Sequence, residues 1–368
     1  MALKQIAVIG GGIFGVTTAL ELSKKFKVTL FEKENDIFCG ATFVNQYRHH
    51  MGYHYPRSPE TVEECKKAKK DFEEVFSEAL ILSFPCYYSV SKKNSKTKAA
   101  DYLSFCRQQH LPFEFSYPDK KFLDVRKVDV CIRVPETVYD FPTLKKIAKT
   151  KISQSKNLTL QLGNLVFDGK IRNDGKKILI TKRGKKIESE VFDYVINATY
   201  SNYNLLCKAL RLEKKSLQFE LVELNIITLP IQDKIGLTIM DGPFTCILPM
   251  GRTKYFTLGH VDASVHRREI VDVQEDIVVK KWGKIKSKKD QIIERSFEFF
   301  PILKDATYIK SLYVTRVVNP QHESDDARPT EIRNHGNGFV SVFAGKIITC
   351  VTTARKISKI LGEDQLSN

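Results

Sequence analysis

The stretch from Gln5 to Glu32, QIAVIGGGIFGVTTALELSKKFKVTLFE, constrains this chain more than any other. Its apolar run Ile6-Ala7-Val8-Ile9 is short and β-branched, as a buried parallel strand requires. Gly10, Gly12 and Gly15 follow at once in G-x-G-x-x-G spacing. From Ile13 onward Val16, Ala19, Leu20 and Ser23 give one small, apolar helical face that can lie on a sheet. Val28 to Phe31 reads as a second strand, and Glu32 closes it. Each part has a task in holding a dinucleotide. Gly10 permits the tight turn, Gly12 lets the backbone approach a pyrophosphate, and Gly15 lets the helix pack against the strand. The pyrophosphate would rest on the unpaired amides of the helix start, around Ile13 and Phe14, where the helix dipole favours negative charge. Glu32, with Lys33 beside it, is placed to accept hydrogen bonds from the adenosine ribose hydroxyls.

The remaining 336 residues of this 368-residue chain call for two domains, or one domain interrupted by another. No apolar run approaches the roughly 18 to 20 residues of a membrane span. The eight cysteines are scattered without a C-x-x-C pair, which fits reduced thiols in a cytoplasm rather than a disulfide or zinc framework, so no metal is expected. The glycine turn at the extreme N-terminus leaves no room for a secretory signal, and a cytoplasmic location is expected. The net charge of +16 is compatible with nucleic acid, an acidic membrane surface or an anionic substrate. Its lysine-rich runs, KKNSKTK and KKWGKIKSKK, lack the interleaved aromatics that stack on bases. They read as solvated surface, with no nucleic-acid partner expected and a peripheral membrane contact left open.

Beyond Glu32 the chain does not simply repeat strand and helix. An extended polar and aromatic segment, CGATFVNQYRHHMGYHYPRSPET, leads into a helix over 61–76. Residues 79–145 read as a different unit, followed by a helix over 141–153 for which Asp140 or Thr143 is the cap. Of the strands LTLQLG, KILITK and DYVINAT, the last two are expected to return to the first domain. Alternating runs over 217–258 predict an antiparallel sheet, and a charged helical segment is expected over 272–299. The chain finishes with a strand, a glycine break and an amphipathic helix. The expected fold class is therefore α/β, with a Rossmann-like nucleotide-binding domain made of 1–78, 146–212 and 325–368. A substrate domain of α+β type, built on an antiparallel sheet, takes 79–145 and 213–324.

These features together resemble the flavin-dependent D-amino-acid-oxidase (DAO) superfamily, of GR2 type. Gly40-Ala41-Thr42 is similar to the small-residue motif that contacts the flavin phosphates there. His50-Met51-Gly52-Tyr53-His54-Tyr55 looks like the H-x-G-x-x-Y segment of the L-2-hydroxyglutarate oxidases and FAD-linked glycerol-3-phosphate dehydrogenases. Asn197-Ala198-Thr199 resembles their N-A-T-G strand end, with Tyr200 where a glycine is usual. Near the C-terminus, Arg316, Gly345, Lys346 and Thr349 fall on positions matching the G-V-R-P…G-G-K-L-T-T stretch of the dehydrogenases. Val317 stands at the proline position and Ala344 at a glycine. The resemblance implies FAD as cofactor, held by these motifs with Ala198, Thr199, Gly345, Lys346, Ile347 and Thr349 among the contacts.

A flavin supplies the redox chemistry, and the protein orients the substrate and tunes the ring. Lys346 either stabilises charge growing on the flavin or binds the substrate anion. Arg316 is a candidate clamp for a carboxylate or phosphate, with a strand-end ion pair as its plainer reading. His50 is a candidate base, Tyr55 a substrate-side tyrosine, and His260 a strand-end residue facing the ring. His49, His54 and Arg48 would make the same pocket basic, subject to strand alternation. The expected activity is oxidation of a CH–OH or CH–NH bond of a small anionic substrate by hydride transfer to flavin N5. The electron acceptor is left open among oxygen, a quinone and another protein. The alternative is an FAD-binding protein without turnover that serves as a structural or regulatory partner.

Overall fold

The computed structural model describes residues 3–82, 84–242, 244–271, 282–322 and 328–366. Gln5–Ile9 forms the central strand of a six-stranded sheet, paired in parallel with Lys27–Phe31 on one side and Tyr194–Asn197 on the other. Leu158–Gln161 extends the sheet at one end, and Phe339–Phe343 with antiparallel Glu331–Gly336 at the other. The first helix, Ile13–Leu22, has almost no exposed face. It is apolar nearly all round, as a helix enclosed by protein must be. Sheet covers one side and the closing helix, Cys350–Leu366, the other, where the Thr17 hydroxyl lies 3.2 Å from the Cys350 carbonyl.

A second sheet of nine strands is built from Cys86–Ser91, Val128–Val134, the long Leu217–Thr228 and Thr307–Val318 strands and their neighbours. It is antiparallel except where Gly236–Met240 runs parallel to Cys86–Ser91. A small sheet of Arg48–His49, Thr137–Tyr139 and Leu80–Ile81 leads from the first sheet to the second. The helix Phe141–Gln154 starts where the sequence predicts, with the Asp140 carboxylate accepting the Thr143 N–H at 3.1 Å. No helix among the described residues is long and apolar enough to cross a membrane.

KILITK forms Lys177–Arg183, the middle strand of an antiparallel meander with Leu165–Ile171 and Lys186–Phe192, whose Leu179 packs with Ile9, Phe31 and Val195 of the parallel sheet. One expectation needs correction. The charged helix is shorter than its composition implies: it spans Lys289–Phe297, and 272–281 lie outside the described residues. The boundary expected between 324 and 325 also falls outside them.

Candidate active site

A cavity of about 1340 Å³ is lined by residues of both large sheets. Its floor includes the carboxyl ends of the parallel strands, through Ile9 and Gly10, Phe31 and Glu32, and Ala198 and Thr199. That edge is where open α/β sheets place ligands.

The glycine turn is built as its spacing requires. Gly10 has φ +108°, and a Cβ on it would lie 2.6 Å from the Ala198 carbonyl oxygen. On Gly15 a Cβ would collide with the Gly10 carbonyl oxygen at 1.8 Å, so helix and strand touch at that residue. Gly12 is different: its Cβ would meet only Thr42 Oγ1, at 3.6 Å, leaving the backbone open to the cavity. Gly12 is also the N-cap of the helix and supplies no side chain to the first-turn amides. Thr42 Oγ1 accepts one of them, the Ile13 N–H, at 3.1 Å. The Glu32 carboxylate takes the Gly11 N–H at 2.5 Å and the Glu34 N–H at 2.9 Å while lining the cavity. Burial raises its pKa, and those two amides oppose the rise.

Ile13, Phe14, Lys33, Gly40, Ala41, Gly345, Lys346 and Ile347 also line the cavity. Gly15 and Thr349 do not. Gly15 serves packing, and Thr349 is buried in a turn where its hydroxyl donates to the Lys346 carbonyl at 2.8 Å and meets Thr330 Oγ1 at 2.7 Å.

His50, Tyr55, His260, Arg316 and Lys346 all line the cavity. Lys346 Nζ stands 4.3 Å from the centre of the Tyr55 ring, and among the described residues no carboxylate forms a salt bridge with it. Its pKa is lowered to about 7, first by burial and then by the Arg328, Arg316 and Arg48 charges, with Cys65 opposing. His50 is held well below the usual imidazole range by burial and by the Lys346 and Arg48 charges, so it is neutral at pH 7. The Nδ1 atoms of His50 and His54 are buried without a hydrogen-bond partner. His260 Nδ1 accepts the Ala263 N–H at 3.2 Å, a contact that assigns the proton of a neutral ring to Nε2.

Strand alternation separates the neighbouring basic residues. Arg48 faces the cavity, bonded to Glu136 at 2.7 Å and to Tyr88 and Thr238. His49 points the other way, against the Phe72 ring at 5.5 Å and Glu73 at 3.8 Å. Glu136 also takes the Met51 N–H at 2.8 Å, so the buried pair anchors the loop that carries His50 to Tyr55.

Arg316 is not an unpaired clamp. Its Nε donates to Glu220 Oε2 at 2.7 Å, and Arg268 Nε donates to the other oxygen at 2.9 Å. Burial raises the Glu220 pKa, but the two arginines outweigh burial and lower it. The plainer reading of Arg316, an ion pair, is the one its contacts support. Sequence reasoning also missed Glu220, Arg268 and Glu136. The alternation in FELVEL placed Glu220 on one face of a strand, but its partners come from 48 and 96 positions away.

Extended backbone at Gly12, helix-start amides and a ribose-distance acid fit a dinucleotide, and the cavity continues past them under the second sheet. Comparison with known proteins agrees. The family model described as FAD dependent oxidoreductase (DAO) matches residues 5–340. The FAD-dependent monooxygenase kojA of Aspergillus flavus is 24% identical over 98% of this chain and 86% of its own length. Among solved structures, glycine oxidase from Geobacillus kaustophilus superposes with a TM-score of 0.75 at 14% identity, covering 98% of this chain and 95% of that one. The L-alpha-glycerophosphate oxidase from Mycoplasma pneumoniae gives 0.74 at 14% identity and the same coverage.

Proposed function

Since the chain belongs to the DAO family of FAD-dependent oxidoreductases, we propose that it oxidises a CH–OH or CH–NH bond of a small anionic substrate, with Lys346 as the anion's anchor. The observation that carries this reading is the Lys346 ammonium on the cavity wall over Tyr55, without a salt-bridged carboxylate among the described residues. Nearby, the Arg48 and Arg316 charges are already met by Glu136 and Glu220. Bound FAD supplies the two-electron acceptor for the substrate carbon.

The chain's own residues do the rest. Gly12 and the amide of Phe14, with Gly40 to Thr42, receive the pyrophosphate; Glu32 receives the ribose; Ala198, Thr199, Gly345 and Ile347 line the same groove. Neutral His50 lines the cavity beside Tyr55 and is the candidate base for a substrate hydroxyl or ammonium proton. His260, with its proton on Nε2, is a donor toward the cavity. Resemblance of the H-x-G-x-x-Y and G-K-x-x-T segments to hydroxy-substrate enzymes favours CH–OH slightly.

The test is an anaerobic screen of the yellow protein against D- and L-amino acids, 2-hydroxy acids and sugar or glycerol phosphates. Bleaching of the flavin by one class is expected. A colourless protein that takes up no FAD, or a flavin that no member of the panel reduces, refutes the reading. The relatives named monooxygenases favour a second reading, oxygen insertion, which would place an atom of isotopically labelled O₂ in the organic product.

A further inference from the structure

The antiparallel meander carries apolar side chains on both of its faces. In Lys177–Arg183, Leu179 and Thr181 are buried on the side that packs on the parallel sheet. Ile178, Ile180 and Lys182 alternate with them and point outward. Residues directly opposite one another share a face. Ile178 stands across from Val191, and Lys182 from Ile187, on one neighbouring strand; on the other, Ile178 stands across from Lys170. Ile187 is 62% exposed and Val191 37%, while Ile178 and Ile180 are half-buried. An antiparallel sheet with one face in water turns polar residues outward as a rule. Here the order is inverted: Lys177 is buried, its ammonium donating to the Asp193 carbonyl at 2.6 Å, and the isoleucine after it faces out. Leu165 and Phe167, on the third strand, line the cavity and are left to the cofactor.

The rim of this outer face is cationic. The turn that follows Lys182, Arg183-Gly184-Lys185-Lys186, is exposed throughout. Ion pairs occupy Arg172, Lys176 and Lys186. Among the described residues none engages Lys170, Lys182, Arg183 or Lys185. Asp168, across from Ile180, is the one carboxylate in the cross-strand rows of the face. A second copy of the chain would bring the same cations against these, which Coulomb repulsion opposes. A lipid surface answers both features, because its anionic headgroups attract the lysines and its acyl boundary receives the isoleucines. We propose that the outer face of the meander docks on an anionic membrane surface, with the Lys182–Lys186 turn among the headgroups and Ile187 at the acyl boundary. This docking does not depend on which bond is oxidised in the cavity.

The experiment sediments the FAD-loaded protein with vesicles of phosphatidylcholine alone and of phosphatidylcholine with about one-third phosphatidylserine. Partition is expected onto the anionic vesicles only, weakening as salt is raised above the physiological range. Lys182→Gln/Lys185→Gln is expected to lose about thirtyfold in affinity, about fivefold for each cation removed. Ile187→Ser is expected to lose several-fold. All three positions are exposed, so both variants should keep the wild-type flavin content. Lys92→Gln/Lys93→Gln, an exposed pair beyond Cys86–Ser91, is the control and should stay within about threefold of wild type. In Ile187→Trp the added indole joins only the buried Trp282, and its emission should move to the blue on anionic vesicles. No partition onto anionic vesicles, an equal loss from the two lysine pairs, or an Ile187→Trp emission that the vesicles leave unmoved overturns the proposal. So does a dimer that Ile187→Ser dissociates, which would give the face to a second copy of the chain.

Discussion

Lys346 sits among cations with burial against it, and the two effects act in the same direction: both disfavour the ammonium. Its pKa of about 7 lies far below the 10.5 of an unperturbed lysine. The sign of the consequence is fixed. The protonated form attracts an anion, so anion affinity is complete below about pH 7 and falls, by up to about tenfold per pH unit, above it. Acetate affinity of the FAD-loaded protein measured from pH 6 to 9 should show that fall, with the break moved upward because the bound anion favours the ammonium. Lys346→Met should bind acetate weakly and without pH dependence in the same range. A level wild-type profile would show that this lysine does not hold the anion. The residue was legible from the G-K segment, but its partners were not. Tyr200 shows the same limit. It stands where the resembling motif has glycine and adopts φ +51°, a conformation glycine takes freely. Its hydroxyl is fixed to both backbone groups of Val317, at 3.0 and 3.1 Å, and its ring stacks on Phe343 at 6.4 Å. The substitution is visible in the sequence; contacts made 117 positions away are not.

Among the elements, the glycine turn and its helix were the most readable, because each glycine answers to a local steric demand. Those demands differ, and the difference can be measured. A Cβ on Gly15 would meet the Gly10 carbonyl oxygen at 1.8 Å, whereas one on Gly12 would meet only Thr42 Oγ1 at 3.6 Å. Gly15→Ala is therefore expected to misfold or lose several kcal/mol, roughly the cost of overpacking or more. Gly12→Ala is expected to fold with wild-type circular dichroism and the urea midpoint of flavin-stripped wild type but to purify without yellow colour, its methyl standing where the pyrophosphate must approach. A yellow Gly12→Ala protein would remove the turn from the cofactor site. The strand KILITK was legible as a strand, but the meander it enters was not. Its alternation is real, with Lys177, Leu179 and Thr181 buried, yet alternation identifies a strand without saying which sheet it enters. Arg316 shows the same limit: a strand-end arginine was readable, and the cross-strand Glu220 that engages it depends on register, which a one-residue slip would reverse.

At the scale of the whole molecule, the cavity joins pieces that are remote in the chain: Gly12 and Lys346, separated by most of its length, line the same space. Glycine and lysine motifs at opposite ends made that convergence legible, since neither has a use in a nucleotide fold unless both reach one ligand. What the sequence could not carry was the cross-strand register that sets Glu220 between Arg268 and Arg316 on the second sheet. A ligand that touches both sheets binds the folded chain and not the unfolded one, so FAD and folding must be linked. Protein stripped of flavin should therefore unfold at lower urea, and FAD at a hundredfold over its dissociation constant should return about 2.7 kcal/mol. The gain should appear as a higher midpoint with an unchanged urea slope, because the surface exposed on unfolding is nearly the same. Gly12→Ala, expected to fold but not to bind, should show no gain at any FAD concentration. If that variant gained as much as the wild type, FAD would be acting elsewhere than at the turn, and the two ends of the chain would not share one ligand.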